Sequence, residues 1–318
     1  MRSYSLTAAA KINLHLEIIG DRPDGFHELA MVLQSVDLCD RIDLRPLSTD
    51  HIRVHCNHPE VPVDQRNLAY KAAALMAAEF PDTFAQYGGV EINIHKQIPV
   101  GAGLAGGSTN AAAVLVGLDL MWQLGLTQSE LQELGARLGS DVPFCIVGGT
   151  MLATGRGEEL APLPDLKQLH VVLAKYRSLS VSTAWAYQTF RQQFGHTYVS
   201  NTQELETRRQ RVHSGPMVAA IAHRNSTEIG QRLYNDLERI VLPEYPQVLG
   251  LREQFQQQGV LGTMMSGSGP TVFALTESSA QAEEVRDRVK AAIADPNLEL
   301  WVAPLTNTSI RIASSRSV

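Results

Sequence analysis

One glycine-rich stretch constrains this chain more than any other: Pro99-Val-Gly-Ala-Gly-Leu-Ala-Gly-Gly-Ser-Thr-Asn-Ala-Ala-Ala113. An alternating run, Val90 to Ile94, precedes it and predicts a strand. An alanine- and leucine-rich run, Ala111 to Leu120, follows it and predicts a helix. Gly101, Gly103, Gly106 and Gly107 leave the backbone free for positive φ and for close approach to a ligand. Ser108 is placed to cap the helix. The unpaired N–H groups of a first helical turn, with the helix dipole behind them, suit an anion such as a phosphate.

Three nucleotide loops compete for this stretch. Gly101, Gly103 and Gly106 fit G-x-G-x-x-G, but that fingerprint needs a βαβ unit. Here the helix is followed by a second helical pattern, Thr127 to Leu138. Gly101 to Ser108 comes one residue short of a Walker A loop, and the residue missing is the phosphate-reaching lysine. The third loop is P-x-x-x-G-L-x-G-G-S-[ST]-N-A-A, which the stretch satisfies over a dozen positions. A tight strand-to-helix turn without a ligand would use the same glycines.

At 318 residues the chain has room for about two domains of ~150 residues each. The net charge of −6 argues against a nucleic-acid binder, which would carry a basic stripe. It does not argue against a small anionic substrate. Cys39, Cys56 and Cys145 are scattered without metal spacing, as expected of reduced thiols in a cytoplasmic protein. Lys11 interrupts the N-terminal run, so no signal peptide is expected, and no apolar run approaches the ~20 residues of a membrane span.

Ile12, Leu14, Leu16 and Ile18 alternate with other residues and predict a strand, with Lys11 and Asn13 on one face. A Pro-Asp-Gly turn centres the loop from Gly20 to Glu28. Leu29 to Asp37, Arg41 to Arg45 and His51 to His55 predict three short strands. Asn67 caps a helix from Leu68 to Phe80, and Thr127 with Glu130 forms a capping box. The Pro-rich stretch from Ala161 to Leu166 marks a domain boundary, dividing the chain into 1–161 and 162–318. Beyond it we expect a strand at Leu169 to Ala174 and a helix at Ser182 to Phe194. Gly195 to Pro216 is polar and poorly periodic, and is expected to be a mobile insertion. Helices at Ile229 to Arg239 and Gln247 to Gln258 precede a second glycine-rich turn, Ser266-Gly-Ser-Gly-Pro270. A strand, a helix from Ala280 and a strand from Leu298 close the pattern, which is α+β.

Each polar residue set apart by this pattern has an ordinary alternative. Lys11 fits a solvated strand end, His27 an exposed loop, and Asp141 a turn cap before Val142-Pro-Phe144.

Joined together, the segments resemble the GHMP small-molecule kinases over nearly the whole chain. The motifs are Ala10-Lys11-Ile12-Asn13-Leu14, the glycine loop, and Ser266 to Pro270. Asp21-Arg-Pro-Asp-Gly-Phe-His-Glu28 and Gly139-Ser-Asp-Val-Pro-Phe144 are similar to segments of the branch acting on a cytidylyl sugar alcohol. The departure is the length of 195–216. The resemblance implies two α+β domains, a ribosomal-protein-like N-terminal one and a ferredoxin-like C-terminal one, with the site in the cleft between them.

It implies an ATP-dependent kinase for the 2-hydroxyl of that sugar alcohol in non-mevalonate isoprenoid synthesis, acting as monomer or homodimer without nucleic acid or membrane. The alternative is another GHMP kinase, such as homoserine or mevalonate kinase. Asp141 would take the hydroxyl proton and Lys11 would steady the charge. Pro99, Val100, Gly101, Ala102, Gly103, Leu104, Ala105, Gly106, Gly107, Ser108 and Thr109 would hold ATP. Asn13, Phe26, His27 and Tyr187 would hold the other substrate, and Ser108 would ligate Mg²⁺.

Overall fold

The computed structural model describes residues 2–199 and 201–313. Its spine is a long antiparallel pair, β1 (Tyr4–Asp21) and β2 (His27–Pro46), joined by the Pro-Asp-Gly turn. Gly25 closes that turn with φ +84°, which a side chain would strain. The sequence pattern predicted two strands where β2 is one. A register shift is the cause: opposite Ala9 and Ala10 the pairing skips from Cys39 to Val36, so Asp37 and Leu38 bulge instead of ending the strand. β1 likewise begins at Tyr4, so Lys11 is mid-strand and not at a strand end.

β3 (Ile52–Cys56) runs parallel to β4 (Val90–His95) at the edge of this sheet, with α1 (Leu68–Glu79) and α2 (Pro81–Tyr87) between them. Asn67 caps α1 by accepting from Ala69 N at 2.8 Å. α3 (Gly106–Trp122) follows the glycine loop and is apolar around most of its girth, as a fully covered helix must be. Gly117 lets it lie directly on Leu44 of β2. α4 (Gln128–Ala136) starts at the expected capping box, in which Glu130 N donates to Thr127 Oγ1. α5 (Val142–Val147) is a short buried helix. β5 (Thr150–Thr154) and β6 (Glu159–Pro162) extend the sheet from β2.

β7 (His170–Tyr176) leads to α6 (Thr183–Phe194), capped by Ser182. Residues 202–213 form α7 (Thr202–His213). Its sequence carries no apolar stripe, and helix-favouring Gln, Glu and Arg with a cap at Asn201 account for it. α8 (Pro216–Ala222) and α9 (Ser226–Gln231) come next. The single helix expected over 229–239 is broken: β8 (Tyr234–Asn235) pairs with β1, and α10 (Glu238–Glu244) restarts after Asp236 accepts from Ile18 N. α11 (Pro246–Gln256), β9 (Gly262–Met265), β10 (Val272–Thr276), α12 (Ser279–Ile293), β11 (Leu298–Thr306) and β12 (Ile310–Ile312) complete the chain.

The strands run β12-β1-β2-β11-β7-β10-β9. β11 is the bridge: its last residues pair with Val36 and Ser35 of β2, while the rest pairs with β7. Apolar residues cover one face of this junction, with Ile12, Leu14 and Val36 in one cluster with Leu173, Phe273 and Ala303. The two halves therefore share a core, and the glycine loop is set against the second half by it.

Candidate active site

A cavity of about 960 Å³ opens between the halves. The glycine loop forms its floor, and Lys11, Asn13, Asp141, Phe26, His27 and Tyr187 all line it. Strand β1 delivers Lys11 and Asn13 from one face. Lys11 N also donates to Leu104 O at 3.1 Å, tying the strand to the loop.

The Lys11 side chain is only 6% exposed. Its Nζ donates to Asn13 Oδ1 at 2.8 Å and lies 3.8 Å from Asp141 Oδ2. A buried ammonium needs such partners. Asp141 sits at the start of α5 yet makes no capping bond with its side chain. Its carboxylate is one-third exposed, toward the cavity, and so open to a substrate.

The loop itself turns sooner than the sequence suggested. α3 begins at Gly106 behind Ala105, which has φ +56°, and Ser108 lies within the first turn instead of capping it. No side chain caps that turn among the described residues, and Gly106, Gly107 and Ser108 line the cavity. That is the arrangement an anion site requires.

Asp40, which sequence reasoning passed over, holds both flanks of the loop. Its carboxylate is fully buried and accepts from Gln97 N at 2.7 Å and Ile98 N at 2.9 Å on the entry side. On the exit side it accepts from Asn110 Nδ2 at 2.8 Å, and it pairs with Lys96. The only signal in the sequence was an acid inside an otherwise strand-like run.

The second glycine turn meets the first. Ser266 Oγ donates to Gly103 O at 3.1 Å, and a Cβ on Gly267 would stand 3.4 Å from Asn13 Oδ1. Asn235, also missed, fixes this turn: its Nδ2 donates to Met265 O and Gly267 O, each at 2.8 Å.

At the other end, His27 and Tyr187 have ring centroids 5.1 Å apart with planes at 34°. Burial, aided by the Arg191 charge and opposed by Asp21, holds the His27 pKa below its ordinary value. Burial also pushes the Tyr187 phenol well up, so it stays neutral. Phe26 is exposed, with the Arg156 guanidinium 4.9 Å from its ring centroid. Of the aromatics on α6, Trp185 packs on Tyr245 and Phe190 is buried, leaving Tyr187 to line the cavity.

Among the described residues no group of three His, Cys, Asp or Glu side chains could hold a metal ion. The oxygens at hand, Ser108 and Asp141, fit an ion held mainly by phosphates. No helix among the described residues is long and apolar enough to cross a membrane.

Residues 67–149 match the family described as GHMP kinases N terminal domain, and residues 213–295 match GHMP kinases C terminal. The 4-diphosphocytidyl-2-C-methyl-D-erythritol kinase of Nostoc punctiforme is 67% identical over 99% of this chain and 100% of that relative. This chain belongs to the GHMP kinases, in that 4-diphosphocytidyl-2-C-methyl-D-erythritol kinase family. A crystal structure of a 4-(cytidine 5'-diphospho)-2C-methyl-D-erythritol kinase superposes with a TM-score of 0.72 at 29% identity, covering 95% of this chain and 98% of that one. Homoserine kinase from Cytophaga hutchinsonii superposes with a TM-score of 0.76 at 19% identity, covering 98% of each chain. At that identity the likeness speaks for the GHMP fold alone.

Proposed function

We infer that this chain is an ATP-dependent kinase that phosphorylates the 2-hydroxyl of 4-diphosphocytidyl-2-C-methyl-D-erythritol, a step of the non-mevalonate route to isoprenoid precursors. The observation that carries this reading is the meeting, in one cavity, of an uncapped glycine-rich helix start with a buried lysine beside an open carboxylate.

The 2-carbon of this alcohol also bears the methyl group, so the acceptor is tertiary and crowded. Such a nucleophile depends on placement and on removal of its proton as it attacks. Asp141 accepts that proton. Lys11 stabilises charge gathering on the transferring phosphoryl group. Asn13, already bonded to Lys11, orients the alcohol. Backbone N–H groups from Gly101 to Thr109 hold the ATP phosphates, so no Walker lysine is called for. Mg²⁺, carried in with ATP, would neutralise phosphate charge, with Ser108 as its protein ligand. Phe26, His27 and Tyr187 receive the cytosine.

We also propose the division into domains at 1–161 and 162–318, with β12 returning the end of the chain to β1. A coupled assay offering ATP with the cytidylyl alcohol, homoserine or mevalonate tests the reading. Turnover of the first alone is expected; turnover of either other alcohol in its place overturns it.

A further inference from the structure

His27 has a ring held in an unusual way. Its Nε2 is buried without a hydrogen-bond partner among the described residues, and the nearest carboxylate oxygen, on Asp21, is 3.8 Å off, too long for a hydrogen bond. Packing must therefore set the orientation of the ring. Tyr187 covers it at 5.1 Å. A second ring, Tyr198, meets it edge to face, with centroids 5.9 Å apart and planes at 90°. Tyr198 is itself stacked on Phe190, at 6.3 Å and 18°.

Tyr198 belongs to the long segment that follows α6, and that segment is attached to β1 beside the site. Val199 N donates to Ile19 O at 3.0 Å. A Cβ on Gly20 would come within 3.2 Å of Val199 O, so the crossing fits closely over a residue without a side chain. β1 shifts register between Ile18 and Gly20, at the crossing. Further on, Arg208 Nε donates to Glu17 Oε1 at 2.9 Å and fastens α7 to the same strand.

We propose that Tyr198 is a positioning residue for His27, and that the segment from Gly195 to Val199 is built to hold it there. The extra chain after α6 is then part of the cytidylyl end of the site, acting through His27 without touching substrate. The inference rests on the proposed function only for its kinetic readout.

The test compares Tyr198→Ala, Tyr198→Phe and Gly20→Ala in the full chain. An edge-to-face pair is worth roughly 0.5–1.5 kcal/mol. Tyr198→Ala should raise KM for the cytidylyl substrate about three- to tenfold, with kcat and KM for ATP within about twofold. Tyr198→Phe keeps the ring and loses only the phenol oxygen beside the Arg191 guanidinium, so its cytidylyl KM should stay close to the parent's. Gly20→Ala displaces Val199 without altering any ring, and should reproduce the Tyr198→Ala split even where that variant folds poorly. The imidazole carbon-bound proton resonances of His27 should shift in Tyr198→Ala and not in Tyr198→Phe. An unchanged cytidylyl KM in Tyr198→Ala, an equal rise for ATP, or a Phe variant as impaired as the Ala variant would overturn the proposal. If the parent does not use the cytidylyl substrate at all, the functional reading fails, and the His27 resonances still decide the positioning role.

Discussion

The hydroxyl of Ser266 donates to the carbonyl of Gly103 at 3.1 Å, joining two glycine turns that lie in opposite halves of the chain. The glycine-rich loop is thus closed from outside. Gly103 has φ +72°, and a Cβ there would collide with the Ser266 carbonyl. Gly103→Ala combines a strained φ with that collision, at ~1–3 kcal/mol for the strain alone. KM for ATP should rise at least about tenfold while KM for the alcohol changes little, as read by varying each substrate in turn. An unchanged ATP KM would show that the turn does not shape the phosphate site.

Lys11 and Asp141 carry the chemistry in this account. Asp141→Asn should lower kcat by roughly 10²–10⁴, the range for loss of a general base. Lys11→Met should lose a comparable factor, and it also leaves Asn13 Oδ1 without its donor. Rapid-quench turnover separates this from slow product release. Both variants folding and turning over within a few-fold of the parent would refute the assignment, and Asp141→Asn alone remaining active would make Asp141 an orienter.

The positions proposed to carry the chemistry could be picked out in the sequence because each lies in a contiguous motif. Lys11 and Asn13 share a strand face, and the glycine loop is a single string. What was not legible depends on contacts across the fold. Asp40 gains its role only when β2 passes beneath the loop, bringing Asn110 from seventy positions away. Asn235 interrupts a helical pattern because β8 pairs with β1, which no local periodicity encodes. The strand β2 looked like two because Asp37 to Asp40 interrupt its alternation, and a bulge in the pairing carries the strand through them. α7 went unread because a helix with no apolar stripe has no period to detect.

Cytosine should be gripped by rings. Base–aromatic stacking is worth roughly 1–3 kcal/mol. Tyr187→Ala or Phe26→Ala should raise KM for the cytidylyl substrate by about ten- to a hundredfold, since ~1.4 kcal/mol is tenfold. Arg156 lies over Phe26, so Phe26→Ala also removes that guanidinium's support. KM for ATP should stay within about twofold. Loss of ATP affinity with the cytidylyl KM unchanged would mean the two ends of the cleft are exchanged.

Base recognition should also be insensitive to mild acid. Burial first, then Arg191, holds the His27 pKa below the ordinary ~6.5, against the pull of Asp21. Below that ordinary value the unfolded chain binds more protons than the folded one. The stability that goes with neutral His27 is therefore complete above about pH 6.5 and is lost as pH falls toward the folded pKa. KM for the cytidylyl substrate should stay flat from about pH 8 down to about 6.5 and rise only below it. His27→Asn should abolish that acid limb. A rise beginning above about pH 7 would contradict a depressed pKa.

The position of the transferred phosphate tests the central claim most directly. Carbon 2 of the methylerythritol unit bears a methyl group and no hydrogen, whereas carbons 1 and 3 carry hydrogens beside their hydroxyls. Proton-coupled phosphorus NMR of the product made from ATP and 4-diphosphocytidyl-2-C-methyl-D-erythritol reads this without a standard. A new monoester resonance without coupling to a carbinol proton is expected, formed by the parent and not, on the same timescale, by Asp141→Asn. A monoester split by carbinol protons, or no new monoester with the parent enzyme, would contradict it.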